Sequence, residues 1–196
     1  YLLNEDGTRM TDKNGDYITG WPLEIDIMAL LKNALVPLLA SVVSRSDAGL
    51  TDAMRKGAYD GLYAIHKDNE GNYVTPVEVP CYECPMSELP EDLKAEYYEF
   101  LRLQGLAEIV GEENIYYFGY DSFGDVIGET EKLHHFIHDV VLPQTGAEQV
   151  RLCNISLGGT IGVNYLETYP EDYFLIKRML FVIPAIDGSD IIGDLL

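Results

Sequence analysis

The sequence predicts an α/β protein, with a parallel sheet and crossover helices in its second half and an irregular helix-plus-hairpin lobe before it. Two observations carry this. From residue 112 onward, apolar runs of strand length alternate with amphipathic runs of helix length across short links, the rhythm of parallel strands joined by right-handed crossovers. Before residue 112 the punctuation is irregular and rich in turn residues. The expected organisation is an N-terminal segment over 1–111 packed on a core over 112–196.

In order along the chain, NEDGTRMTDKNGDYITG (4–20) is turn-rich, and Trp21-Pro22 then opens an apolar helix, where proline's missing N–H is tolerated. The apolar run 27–43 is interrupted by Lys32, Asn33 and Pro37 and falls short of the roughly 20 apolar residues that cross a bilayer. It reads as a buried or docking helix, and no transmembrane segment is expected. A hairpin follows, with GLYAIH and YVTPVEV flanking the turn KDNEGN. Behind Ser87, a helix carries Leu93, Tyr97, Phe100, Leu101 and Gln104 at helical spacing.

The second half is more regular. NIYYFGYD (114–121) reads as a short aromatic strand. ETEKLHHFIHDVVLPQTG (129–146) reads as a helix with Leu133, Phe136, Ile137, Val140 and Val141 on one face. QVRLCNI is a strand, GTIGVNYLETYP a helix ending at Pro170, and IKRMLFVIPAID a strand.

Composition bounds the function. With 47% hydrophobic and 23% charged residues the chain is that of an ordinary globular domain, but 33 acidic against 13 basic residues leave a formal charge of −20. Such a surface repels a phosphate backbone, so nucleic acid is excluded as a partner. The acid is spread among 11% aromatic residues and suits a protein kept soluble in salt or outside a cell, a lean towards a secreted or cell-surface bacterial protein. The chain opens on YLLNEDG without Met or signal peptide and reads as processed or cropped.

Ser156 stands out in RLCNISLGGT, where a strand turns directly into a helix with small residues on the helix side. A sharp turn there exposes the serine oxygen, the helix N-terminus favours developing negative charge, and the Leu157 N–H can donate to an oxyanion. Gly158 and Gly159 let helix and strands approach closely.

Asn154-Ile155-Ser156-Leu157-Gly158-Gly159 resembles the G-x-S-x-G nucleophile elbow of α/β hydrolases, in a serine-x-glycine-glycine form. YYFGYDSFGD followed by helix, strand and elbow is similar to the lecithin:cholesterol acyltransferase-like branch, as is DG followed by WPL near the start. The resemblance covers about 114–190 closely and about 1–30 loosely. It implies a partial α/β-hydrolase core, a small-molecule or lipid ester as substrate, an acyl-enzyme on Ser156, and neither metal nor organic cofactor.

The pattern departs from that family at three places. Asn154 stands at the first elbow glycine, Ile155 replaces the histidine common before the serine, and all four histidines (His66, His134, His135, His138) precede Ser156, whereas the order in this fold is serine, acid, histidine. The chain is then an N-terminal portion whose partners lie beyond Leu196, a catalytically inactive relative that binds, or an unrelated parallel-sheet protein in which Ser156 only starts a helix. Asp187 and Asp190, after the last strand, are candidate acids.

Other motifs read more plainly. His134 and His138 have metal-ligand spacing on a helix with Glu131 or Asp139 nearby, but lie opposite the apolar stripe and read as a solvated face. Cys81 and Cys84 form a lone C-x-x-C, short of the four ligands of a structural zinc site, and Cys153 reads as a small buried hydrophobe. DKNGD (12–16) lacks the glycine and glutamate of a calcium loop and reads as a hairpin turn.

Overall fold

The structure is a computed structural model that describes residues 1–12, 14–19, 27–54 and 65–186. It is a mixed α/β chain that divides into two compact units, Tyr1–Val79 and Pro80–Leu196.

The first unit is made of tight turns and one helix. The same five-residue turn occurs three times, at Asn4–Thr8, Asp12–Asp16 and Asp68–Asn72, each closed by two backbone hydrogen bonds with the fourth residue a glycine at positive φ. Only glycine adopts that conformation without strain. In the second and third turns the aspartate side chain caps its own loop, Asp12 accepting from the Asn14 and Asp16 N–H groups and Asp68 from those of Glu70 and Asn72. The DKNGD segment is thus a hairpin turn, bridged by Thr11 and Tyr17. The second hairpin is reduced to a single bridge between Lys67 and Tyr73, and residues 61–64 of its first arm lie outside the described residues.

The N-terminal segment runs antiparallel to 76–78, with Leu2 buried and bridged to Val77. Arg9 grips Glu78 through two hydrogen bonds of 2.6 and 2.9 Å and lies over the Tyr1 ring. That grip, opposed by partial burial, holds the Glu78 carboxyl below the usual glutamate range. A depressed folded value means the contribution to stability is present above the unfolded value of about 4.3 and is lost as pH falls through the folded one. A carbon-13 carboxyl titration is expected to place Glu78 below ordinary glutamates, and Arg9→Ala to return it to them.

Helix α1 (Ile27–Ser44) contains Pro37; Leu31, Leu35, Val36, Leu39, Val42 and Val43 are all exposed, and Ala34 is buried. Of the buried or docking helix expected from its apolar run, the buried alternative is thus corrected: the helix is exposed over most of its described apolar residues. Trp21 and Pro22 lie outside the described residues. No helix among the described residues is long and apolar enough to cross a membrane.

In the second unit, a strap from Pro80 to a short 3-10 turn at Met86–Glu88 leads into α2 (Glu91–Leu101) and α3 (Gln104–Val110). The single helix expected here is broken at Arg102, which adopts a left-handed conformation with φ 54°. Ser87 sits in the 3-10 turn and does not cap the helix, which starts after Pro90. Met86, Leu89, Tyr97 and Ile115 form the first core cluster.

Asn114 ends a 3-10 turn at Glu112–Asn114, and residues 115–121 form no ladder; among the described residues their one strand pairing is the antiparallel bridge Pro85–Tyr116. The aromatic strand expected there is thus absent from the sheet. Its period-2 pattern serves packing instead, Tyr117 against the first cluster and Phe118 and Tyr120 against the second. The strap lies close alongside, since a Cβ on Gly119 would meet the Pro80 carbonyl oxygen at 1.8 Å.

Helix α4 (Val126–His135) is capped by Asp125, whose carboxylate accepts from the Gly128 N–H at 2.9 Å. It widens into a π-helical turn at Phe136–Val141 and returns to α-helix over Leu142–Thr145. Pro143 explains the widening: it lacks the N–H that an α-helix would use and its ring crowds the preceding turn. Leu133, Phe136, Ile137 and Val140 are buried as their spacing implied.

Strand β1 (Val150–Ile155), helix α5 (Gly158–Thr168), a 3-10 turn at Pro170–Phe174 and strand β2 (Ile176–Val182) complete the unit. The strands pair in parallel, with Cys153 opposite Leu180 and Ile155 opposite Val182. They make the only sheet of named strands among the described residues, so the face of β1 away from α5 has no layer on it and Cys153 is exposed. The buried hydrophobe expected at Cys153 is corrected accordingly. Leu133 and Ile137 of α4 pack with Ile161 and Tyr165 of α5 in the second cluster, each full side-chain burial stabilising by roughly 1.5–3 kcal/mol.

Candidate functional site

Ser156 is the hinge between β1 and α5. Its φ is +52°, a left-handed conformation that an L-residue adopts only at a strain of about 1–3 kcal/mol when its surroundings impose it. Three hydrogen bonds do so here: the Ser156 N–H donates to the Val182 carbonyl at 3.0 Å, and the Ser156 carbonyl accepts from the N–H groups of Gly159 at 2.9 Å and Ala185 at 3.0 Å. The chain after β2 therefore folds back over the start of α5. Thr160 fixes it further by donating its hydroxyl to the Ala185 carbonyl at 2.9 Å.

Close approach on the helix side explains the glycines. A Cβ on Gly159 would lie 2.6 Å from the Pro184 Cβ, and one on Gly158 would lie 3.5 Å from the Tyr120 hydroxyl. Burial pushes the Tyr120 phenol up, opposed by the Gly158 N–H directed at its oxygen. Asn154, where an elbow glycine is usual, is buried and directs its side chain at Gly162, one turn into α5. A Cβ on Gly162 would sit 2.6 Å from the Asn154 Oδ1. The side chain added at 154 is accommodated by the one missing at 162, while its Nδ2 donates to the Leu180 carbonyl at 3.4 Å.

The result is an exposed serine on a strained turn at the head of a helix. Leu157 follows it, and its N–H donates to no acceptor among the described residues. Asn154 lies in β1, Ser156 and Leu157 form the turn, and Gly158 and Gly159 begin α5. Asp187 and Asp190 lie outside the described residues. Two surface hollows of the second unit, one lined by Leu142, Gln149 and Phe174 and the other by Leu166, Tyr173 and Met179, do not include Ser156.

The histidines of this unit are engaged elsewhere. His135 shares a hydrogen bond with Asp139 at the surface. His134 and His138 converge on Asp172, from the 3-10 turn after α5, through Nδ1 at 3.1 Å and Nε2 at 2.8 Å. The buried Tyr165 hydroxyl donates to the same oxygen at 2.6 Å. The His134 ring stacks on Tyr169 at 4.0 Å with 7° between planes.

His134 and His138 are therefore not on a solvated face; their side chains retain 24% and 34% of their exposure, and that of Asp172 only 5%. Burial alone would raise the Asp172 carboxyl, but the Tyr165 hydroxyl and the two imidazoles outweigh it and hold it below the usual range. The histidine spacing was legible, but the third partner is Asp172 rather than Glu131 or Asp139, 34 residues beyond His138 and invisible to any local motif.

Cys81, Cys84 and Cys153 are free thiols. No protein-family model, curated protein or solved structure matches the chain.

Proposed function

We propose that the second unit carries the nucleophile elbow of a partial α/β-hydrolase core, and that the protein is a serine hydrolase or acyltransferase acting on carboxylic esters of lipid-like type. The single observation that supports this most is the positive φ of Ser156 at a strand-to-helix turn, which places an exposed serine at the head of a helix as a nucleophile elbow does. In the proposed step the Ser156 oxygen attacks the ester carbonyl as its proton passes to a histidine base that is not among these 196 residues. The Leu157 N–H donates to the oxyanion. The alcohol leaves with the proton, and water or a second alcohol releases the acyl group.

A second reading, an inactive relative that binds rather than reacts, draws on the engagement of His134, His135 and His138 with Asp172 and Asp139. Ester turnover separates the two. The native polypeptide is expected to hydrolyse a chromogenic ester series, and Ser156→Ala to lower kcat about a thousandfold or more without altering the fold. Equal turnover in wild type and variant rules out the nucleophile, and no turnover in either favours the inactive relative.

A further inference from the structure

We infer that His134, His138 and Asp172 form a divalent-metal site, best suited to zinc, that ties α4 and the π-helical turn after it to the 3-10 turn after α5. His134, His138 and Asp172 each offer one ligand atom, a ring nitrogen or a carboxylate oxygen, and these three atoms lie within 4.8 Å of one another. Two imidazoles and a carboxylate are a donor set that zinc takes with bonds of about 2.0–2.2 Å, so tetrahedral neighbours stand roughly 3.3 Å apart. The His138–Asp172 and His134–Asp172 separations of 2.8 and 3.1 Å need to open by only a few tenths of an ångström.

The surroundings have the properties of a ligand's second shell. Tyr165, fully buried, orients the Asp172 carboxylate by hydrogen bond, and Tyr169 fixes the plane of the His134 ring by stacking. The half-exposed histidine edges leave room for water as a fourth ligand. No Lys or Arg among the described residues pairs with the nearly buried Asp172 carboxylate, while Glu171 precedes it in sequence and Glu131 stands near Tyr169. A bound cation would face this nearly buried carboxylate directly.

Coordination requires a lone pair on each imidazole nitrogen that now shares a proton with Asp172, so metal entry releases that proton or moves it to the other ring nitrogen. The site is not part of the ester chemistry. Tyr165 lies seven residues along α5 from Gly158, about 10 Å at 1.5 Å per residue, so the metal would brace the far end of the helix that Ser156 begins.

The test is zinc binding to chelator-stripped protein by calorimetry, with cobalt(II) as a spectroscopic probe. One equivalent of zinc per chain is expected, with a rise in the thermal midpoint. His138→Ala and His134→Ala should each weaken binding at least tenfold, whereas the double variant Cys81→Ser/Cys84→Ser binds as the wild type. The wild-type cobalt spectrum should show tetrahedral visible bands without a thiolate charge-transfer band, a readout that holds even if a histidine variant folds poorly. Absence of stoichiometric binding, loss of binding in the cysteine variant, or a thiolate band in the cobalt spectrum overturns the proposal.

Discussion

Replacing Gly119 by alanine is expected to destabilise the second unit by about 3 kcal/mol, the upper end of the range for overpacking, and to lower the thermal midpoint by roughly 10 °C. The added Cβ would stand 1.8 Å from the Pro80 carbonyl oxygen and 2.9 Å from its carbon, both backbone atoms, so no side-chain rotation relieves the clash. The strap must move. It is held by the Met86 N–H bond to the Ile115 carbonyl at 2.8 Å and by the full burial of Met86, so displacement loosens the first core cluster as well. Gly105→Ala is the matched control of opposite sign. Gly105 lies in α3 with open space around its Cβ, where alanine gains about 0.5–1 kcal/mol from helix propensity. Denaturant unfolding of the two variants checks both signs, and equal effects would show that the strap does not press on residue 119.

Gly162→Ala is expected to cost about 1–3 kcal/mol, and most of that loss to be recovered when Asn154→Ala is added. The three atoms nearest the new Cβ all belong to the Asn154 amide, at 2.6 to 3.0 Å, and that amide is buried and bonded to the Leu180 carbonyl. Removing it opens the space. Asn154→Ala alone loses that hydrogen bond, worth about 1 kcal/mol net. A coupling of about 0.5–3 kcal/mol between the two substitutions is the expected outcome of the double-mutant cycle. Strict additivity would mean that the Asn154 side chain does not sit against Gly162 of α5, and that the turn at Ser156 is held by other contacts.

The parts of the second unit that sequence reading recovered are those governed by local rules. β1, α5 and β2 follow from an apolar run, a helix bounded by glycines and Pro170, and a second apolar run, each readable within a dozen residues. The turn at Ser156 was legible because small residues after a strand mark a close approach, and Asn154 was a departure whose compensation at Gly162 lies eight residues on. Residues 114–121 show the limit. Alternating aromatics specify an extended chain with two packed faces, but whether a ladder forms depends on which segment lies alongside, and there the Pro80–Pro85 strap does.

Tertiary context also decided what periodicity could not. The run 27–43 is apolar enough for a core, yet α1 exposes most of it. Cys153 alternates as a buried strand residue should, but among the described residues its face of β1 carries no second layer. The Asp172 cluster is nonlocal throughout, since His134 and His138 are read from their spacing of four while Tyr165 and Asp172 reach them only when α5 packs on α4. The recurring five-residue turn of the first unit was present as N-x-x-G-x and D-x-x-G-x in the sequence, and is recognised as one device only when the hydrogen bonds of all three copies are seen together.

The central claim, that the strain at Ser156 serves a nucleophile, is tested most directly by treating the native polypeptide with a fluorophosphonate and mapping the adduct by peptide mass spectrometry. In that reaction the serine oxygen forms a bond to phosphorus and fluoride leaves, so covalent modification reports an activated serine without knowledge of the substrate. The expected result is one phosphonyl adduct, on Ser156, abolished in Ser156→Ala. An unmodified Ser156 under conditions that label a known serine hydrolase, or an adduct on another serine, would contradict the account.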